Sequence, residues 1–316
     1  MTTQYNPFTD DLAVVCCHFN PMHYRSRLRN YRQFTAAMAA SGVRLLTVEL
    51  AFGDDSWELD GGDDVVQIRT TDVMWQKECL LNRGIRQLIG EGYEKIAWVD
   101  ADVWFHDPAW PVRASAALDE HRLIQLFESV HRQQPVGPPE VKRGSAARFC
   151  RNRRIDTDDS TPGYGWAARA EVLAEVPLYD AMIVGGGDAA IFLASCSGVR
   201  SWRPTLGRQH WFRSMNMACR RRYVAWAARW GAAIGGRIGY LAQHASTFYH
   251  GSRKNRLFHQ RWSLVAGLDP YRDLARCPEG CWRWARDDVS MRQDVCRYFR
   301  DRKEDEEEAR PLNCRR

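Results

Sequence analysis

Two aspartates one residue apart, Asp100 and Asp102, close the apolar run Ile96-Ala97-Trp98-Val99 and precede Val103-Trp104-Phe105. The run reads as a buried strand, and alternate side chains of an extended segment share a face. The spacing therefore predicts two carboxylates pointing the same way at a strand exit. Hard carboxylate oxygens so arranged suit Mg²⁺ or Mn²⁺, with phosphate oxygens completing the coordination. Asp-x-Asp alone also occurs in surface turns. The apolar residues before it and the aromatics after it set this pair at a strand end.

The elements needed to hold such a strand are legible. Residues 12–19 (LAVVCCHF) form a buried-strand run that Asn20-Pro21 breaks. Residues 25–40 carry Leu28, Tyr31, Phe34, Thr35 and Met38 at helical spacing, and Gly42 stops them. Residues 43–50 and 65–69 read as further strands around an acidic loop at 54–63. Thr71 or Asp72 can cap a helix bearing Leu81, Ile85 and Leu88, which Gly90 and Gly92 end. Strands alternating with helices imply right-handed βαβ units and a mainly parallel sheet. Ligands of such sheets gather at the carboxyl ends of the strands. Beyond a strand at 123–128, residues 131–161 read as an irregular, proline-containing loop over the site. A Gly163-Tyr164-Gly165-Trp166 segment then restores order, followed by a short helix near Glu171. Residues 301–316 read as a frayed, charged tail.

The chain has 316 residues, 45% of them hydrophobic, enough for one large domain or two small ones. No apolar run reaches the length of a membrane span. The nearest, residues 223–242, carries Arg229 and Arg237. The first ten residues lack a signal-peptide apolar region, so a soluble, cytoplasmic protein is expected. The ten cysteines then read as reduced thiols. Cys16 and Cys17 should face opposite ways in their strand. Cys277, Cys281, Cys296 and Cys314 are a zinc candidate without a strong spacing pattern. The net charge of +6 is unevenly spread: residues 189–268 hold 13 Lys or Arg and no Asp or Glu, leaving −7 for the rest. Such a region is expected to attract polyanions.

Taken in order, these motifs resemble the GT-A class of nucleotide-sugar-dependent glycosyltransferases of the Asp-x-Asp type. The resemblance covers about residues 12–269. It rests on the βαβ half, the Asp100-Ala101-Asp102 strand end, Gly163-Tyr164-Gly165-Trp166, Gly185-Gly186-Gly187-Asp188 and the late His250-Gly251. It implies an α/β fold with a Rossmann-like, mainly parallel central sheet flanked by helices, and a basic C-terminal extension. Residues 1–275 would form the catalytic domain, with a nucleotide half at 1–128 and an acceptor and metal-closing half at 160–275. Residues 276–316 would be the extension.

The resemblance also implies chemistry. A divalent ion, Mn²⁺ or Mg²⁺, held by Asp102 with help from Asp100, would stabilise a nucleoside diphosphate as leaving group. His250 fits a third ligand, since imidazole suits Mn²⁺. Arg253, Lys254 and Arg256 would reach the diphosphate. The donor would be a nucleoside-diphosphate sugar, a UDP-sugar by preference, contacted by His18, Asn20, Glu49, Gln76, Lys77 and Ala101. Gly165 and Trp166 would wall the sugar pocket. Asp188 would take the acceptor proton in an inverting transfer, and Gly186 and Gly187 would let the acceptor approach. Asp188 also suits a helix N-cap.

The basic segment suggests a polyanionic acceptor, of which hydroxymethylated pyrimidine in DNA, glycosylated by phage DNA-modifying enzymes, is the precedent in kind. Arg220, Arg221 and Arg222 would hold its phosphates. A glycan or small-molecule acceptor is the alternative. An alternative of another class is a non-catalytic nucleic-acid-binding protein that stacks bases on Trp202, Trp211, Phe212, Tyr223, Trp226 and Trp230.

Overall fold

A computed structural model describes residues 10–155, 159–258 and 260–305. Apolar alternation and helical periodicity set the first half: β1 (Leu12–Phe19), α1 (Arg25–Ala40), β2 (Arg44–Phe52), β3 (Val65–Thr70), α2 (Lys77–Gly90) and β4 (Lys95–Val99). The chain continues through β5 (Val103–Phe105), α3 (Trp110–Glu120), β6 (Leu123–Gln125), β7 (Ser129–Arg132), β8 (Glu140–Gly144), α4 (Ser145–Asn152), β9 (Ser160–Thr161), β10 (Gly165–Arg169) and α5 (Ala170–Glu175). It ends with α6 (Gly187–Ser195), α7 (Trp202–Arg208), α8 (His210–Ser214), α9 (Met217–Ile234), β11 (Ile238–Tyr240), β12 (His244–Thr247), β13 (Leu274–Arg276), β14 (Trp282–Trp284) and α10 (Val289–Asp301).

The central sheet has seven strands in the order β11-β6-β10-β4-β1-β2-β3. Pairing is parallel from β3 through β2 and β1 to β4. β10 lies antiparallel to both β4 and β6. This is the mainly parallel, helix-flanked α/β sheet that the alternation predicted. Its central strands are covered on both faces, which is why β1 and β4 read as continuous apolar runs. Cys16 is buried, while Cys17 faces a cleft.

Two expectations are corrected. The stretch at 131–161 is not an irregular loop: β7, β8 and β9 join β5 and β12 in a second, five-stranded sheet, and α4 intervenes. These strands are short and polar, so no apolar periodicity marks them; β8 pairs with its neighbours β7 and β9, and β7 reaches across the chain to β12. The second helix begins at Lys77 rather than after Asp72. Asp72 is drawn instead to the backbone of Trp284 and to Arg292.

The described part of the expected C-terminal extension, residues 276–305, packs into the body of the fold. Trp282, Trp284, Val295, Tyr298 and Phe299 share one apolar core with Val15, Leu46 and Trp98. No helix among the described residues is long and apolar enough to cross a membrane. Nine described cysteines are free thiols, Cys277, Cys281 and Cys296 among them; Cys314 lies outside the described residues.

Candidate active site

The carboxyl ends of β1 and β4, the start of α6 and the chain after β12 converge on one cleft of about 850 Å³. β12 pairs antiparallel with β5, and Phe248 N extends that ladder by donating to Asp102 O at 2.8 Å. Two residues on, His250 arrives beside Asp102, with Nε2 2.6 Å from Oδ2. Asp102 Oδ1 is buried and has no hydrogen-bond partner among the described residues. Burial works to raise the Asp102 pKa, but His250, followed by Arg256 and Arg27, outweighs it and holds the carboxyl below its usual range.

Asp100 and Asp102 both line the cleft, but they meet different partners there. The strand ends at Val99 and the chain turns, with Val103 N donating to Asp100 O at 3.2 Å. Asp100 points to Lys77, whose Nζ lies 2.5 Å from Oδ1. The same ammonium lies 3.0 Å from both oxygens of Asp188. Lys77, expected at the donor, thus ties the exit of β4 to the start of α6. Burial disfavours its charge, but Asp100, Asp188 and Glu78 outweigh burial and keep its pKa well above the ordinary value.

Glu78, behind this cluster, was not singled out by sequence reasoning. A Cβ on Gly187 would stand 2.0 Å from its Oε1, so only glycine lets α6 lie against it. Burial, reinforced by Asp188 and Asp100, pushes its pKa to about 8. Burial similarly raises Asp100 to about 6. Asp188 is not an N-cap: Gly186, at φ +107°, holds that position and Asp188 lies within the first turn.

The residues after α10 supply a second unforeseen group. Residues 301–305 do not fray but fold beneath the cleft; residues 306–316 of the expected tail lie outside the described residues. Glu304, 2% exposed, accepts from Arg27 at 2.7 and 3.0 Å and from Arg302 Nε at 2.5 Å, and its Oε2 lies 3.5 Å from His250 Nδ1. Asp305 accepts from the backbone of Arg25 and Ser26 at the start of α1. Arg302 Nη1 donates to the Tyr298 hydroxyl, which also accepts from Arg261 Nη1. A buried chain of contacts therefore runs from Arg261 through Tyr298, Arg302, Glu304 and His250 to Asp102. A charged terminal stretch has no periodicity to reveal this; a glutamate and arginine two apart was the sole signal.

The remaining candidates divide. His18 lines the cleft with Nε2 2.7 Å from Glu58 Oε2, and Asn20 donates to Glu58 Oε1 at 2.8 Å. Ala101, Gly186, Arg253 and Arg256 also line the cleft, whereas Lys254 is exposed away from it. Arg256 Nη2 lies 2.8 Å from His250 Nε2, its Nε is buried without a partner, and Arg253 contacts Glu140.

Four donor candidates are corrected. Glu49 is spent on the backbone of Glu58 and Leu59 and on Gln67. Gln76 exchanges two hydrogen bonds with the backbone of Trp282. Trp166 and Gly165 do not wall the cleft. β10 aims the Trp166 ring into the core, stacked near Phe192, and its Nε1 donates to Pro162 O. Tyr164 takes that place in the cleft.

The acceptor arginines are corrected too. Arg220 donates to the carbonyls of Phe212 and Arg213, and Arg222 lies over the rings of Tyr271 and Trp282. Neither these two nor exposed Arg221 lines the cleft. Tyr223 and Trp230 are fully buried, Trp202 and Trp211 nearly so, and Phe212 and Trp226 partly, which leaves little of the base-stacking surface of the nucleic-acid-binding alternative.

No protein-family model matches the chain. No curated protein matches it either. Among solved structures it is similar to glucosyl-3-phosphoglycerate synthase from Mycobacterium tuberculosis, in complex with Mn²⁺, UDP and phosphoglyceric acid. That likeness has 10% identity over 84% of this chain and 81% of the other, with a TM-score of 0.41. It is also similar to the catalytic domain of Drosophila β1,4-galactosyltransferase 7, with 14% identity over 58% of this chain and a TM-score of 0.29. This chain spans only 59% of that domain. A glycosyltransferase involved in glycosylation of the PBCV-1 major capsid shows 10% identity over 73% of this chain and 81% of its own, with a TM-score of 0.31. At such identities and scores we transfer no residue role from these proteins.

The cleft itself is strongly cationic. Nine Lys or Arg side chains line it against four carboxylates: Asp100, Asp102, Glu140 and Asp188. Such a lining focuses positive potential on an anionic ligand. Among the described residues no three His, Cys, Asp or Glu side chains are gathered as a complete metal cage. A pair of ligands is nonetheless the usual protein share where substrate phosphates and water complete the shell. The unpartnered Asp102 Oδ1 and the neighbouring imidazole nitrogen suit that role.

Proposed function

We propose that this protein is a GT-A-type, metal-dependent glycosyltransferase that moves a sugar from a nucleoside-diphosphate sugar, a UDP-sugar by preference, to an acceptor hydroxyl. One observation carries the reading. Asp102 and His250, from chain segments about 150 residues apart, meet at 2.6 Å in a cationic cleft that also holds a separate carboxylate, Asp188.

Asp102 and His250 would hold Mn²⁺ or Mg²⁺, which when bound neutralises charge developing on the departing diphosphate. Arg256 and Arg253 would add positive charge beside it. The acceptor oxygen attacks the anomeric carbon and its proton passes to Asp188. The bond from that carbon to the diphosphate oxygen breaks, and its electron pair leaves with the phosphate. A single displacement of this kind inverts the anomeric centre. Lys77, gripping both Asp188 oxygens, orients the carboxylate for that transfer. Arg220 and Arg222 are engaged within the fold while Arg221 is exposed, so these contacts give a DNA acceptor less support than a small one.

The test is a panel of nucleotide sugars with Mn²⁺ or chelator, scored by release of nucleoside diphosphate. Small hydroxylated acceptors and hydroxymethylcytosine DNA form separate arms. Metal-dependent release from one donor supports the reading. No release and no binding of any nucleoside diphosphate refutes it.

A further inference from the structure

Arg261 opens the 3-10 turn Arg261–Val265, lines the cleft, and is 8% exposed. Its Nη1 donates to the Tyr298 hydroxyl at 3.2 Å. Among the described residues its Nε is buried without a partner and no carboxylate pairs with the guanidinium, which lies 5.2 Å from the Phe258 ring centre. The guanidinium packs on the glycine turn that leads into α6. A Cβ on Gly185 would meet Nη1 at 3.2 Å, and one on Gly186 would meet Nη2 at 3.4 Å. The positive φ at both glycines, +84° and +107°, keeps that space open two residues before Asp188.

The same wall repeats the pattern. Trp211 Nε1 is a buried donor without a partner among the described residues, and its ring lies 6.5 Å from that of Trp262, next to Arg261. Arg208, exposed in the cleft, forms no ion pair with a carboxylate among the described residues. Tyr298 offers little compensation, since its one oxygen already serves Arg302 as well. A buried cation lacking a counter-charge is costly. The Nε–Nη2 edge of arginine matches two oxygens of a carboxylate or phosphate. A neutral acceptor would leave both arginines unmatched.

We propose that this wall binds an oxyanion, so that the acceptor is a hydroxylated molecule bearing a phosphate or carboxylate group, with Arg261 as principal ligand and Arg208, which lines the same cleft, as a second cation. The proposal rests on the glycosyl-transfer reading for its placement next to Asp188. It concerns a site distinct from the diphosphate contacts around His250 and Arg256.

The experiment is calorimetric titration of the full chain with glycerol, glycerate and glycerol 3-phosphate, each with and without saturating UDP and Mn²⁺. With UDP in place, the charged probes should bind about tenfold to a hundredfold tighter than glycerol. Glycerate against glycerol 3-phosphate tells carboxylate from phosphate. Arg261→Gln should abolish the preference while UDP still binds. Should that variant fail to fold, Arg261→Lys, which keeps charge but loses the fork, and Arg208→Gln on the exposed side should each weaken it. Equal binding of charged and neutral probes, or an unchanged preference in every folded variant, overturns the proposal. A preference for charged probes in a protein that binds no UDP keeps the oxyanion site and sinks the transfer reading.

Discussion

Arg27 and Glu304 form a two-point ion pair, Nε to Oε2 at 2.7 Å and Nη2 to Oε1 at 3.0 Å, that fastens the first helix to the end of the described chain directly beneath His250. Glu304→Ala leaves Arg27 and Arg302 facing each other without a counter-charge. The expected loss is about 3–5 kcal/mol in denaturant unfolding. The Glu304 pKa lies well below its ordinary 4.5: burial opposes this, and Arg27 and Arg302 overcome it. Its contribution is therefore present above that value and fades as pH falls through the depressed native pKa. A variant as stable as the parent at pH 7 would show that the pair is not structural.

Asp102→Asn preserves shape and removes charge. Mn²⁺ affinity, read by electron paramagnetic resonance of the free ion, should fall by more than the ~10–100-fold typical of outer-shell changes. His250→Ala should do the same. Retention of tight Mn²⁺ binding in both variants would remove the ion from this corner of the cleft.

Asp188→Asn should keep UDP binding and lose sugar transfer by about 10²–10⁴-fold. A parallel collapse of UDP binding would make Asp188 a donor contact. Unchanged transfer would leave it as a partner for Lys77 and nothing more.

Glu78→Gln isolates a buried carboxyl. Because its native pKa is raised to about 8, the native state holds its proton more tightly than the unfolded chain does. The resulting stability is full below the ordinary value of 4.5 and is lost as pH rises through 8. Melting curves of variant and parent should therefore coincide near pH 4.5 and separate, with the variant more stable, at pH 8.5. Parallel curves across that range would place the titration elsewhere.

The sequence by itself determined the elements whose signals are local. The limits of β1 and α1 follow from an unbroken apolar run and a helical repeat, and the parallel half of the sheet follows from their alternation. It also brought forward Asp102, His250 and Asp188, because residue type near a strand end or a glycine turn is a local property. Only the tertiary structure decided what each side chain meets. Asp100 and Asp102 reach the same cleft, yet Lys77 pairs with the first and His250 with the second. Pairing across the chain turned the 131–161 stretch into a sheet, Trp166 into core and Arg222 into a packing residue. Glu304 reached His250 across more than fifty residues by the same kind of non-local contact, which no window of sequence contains.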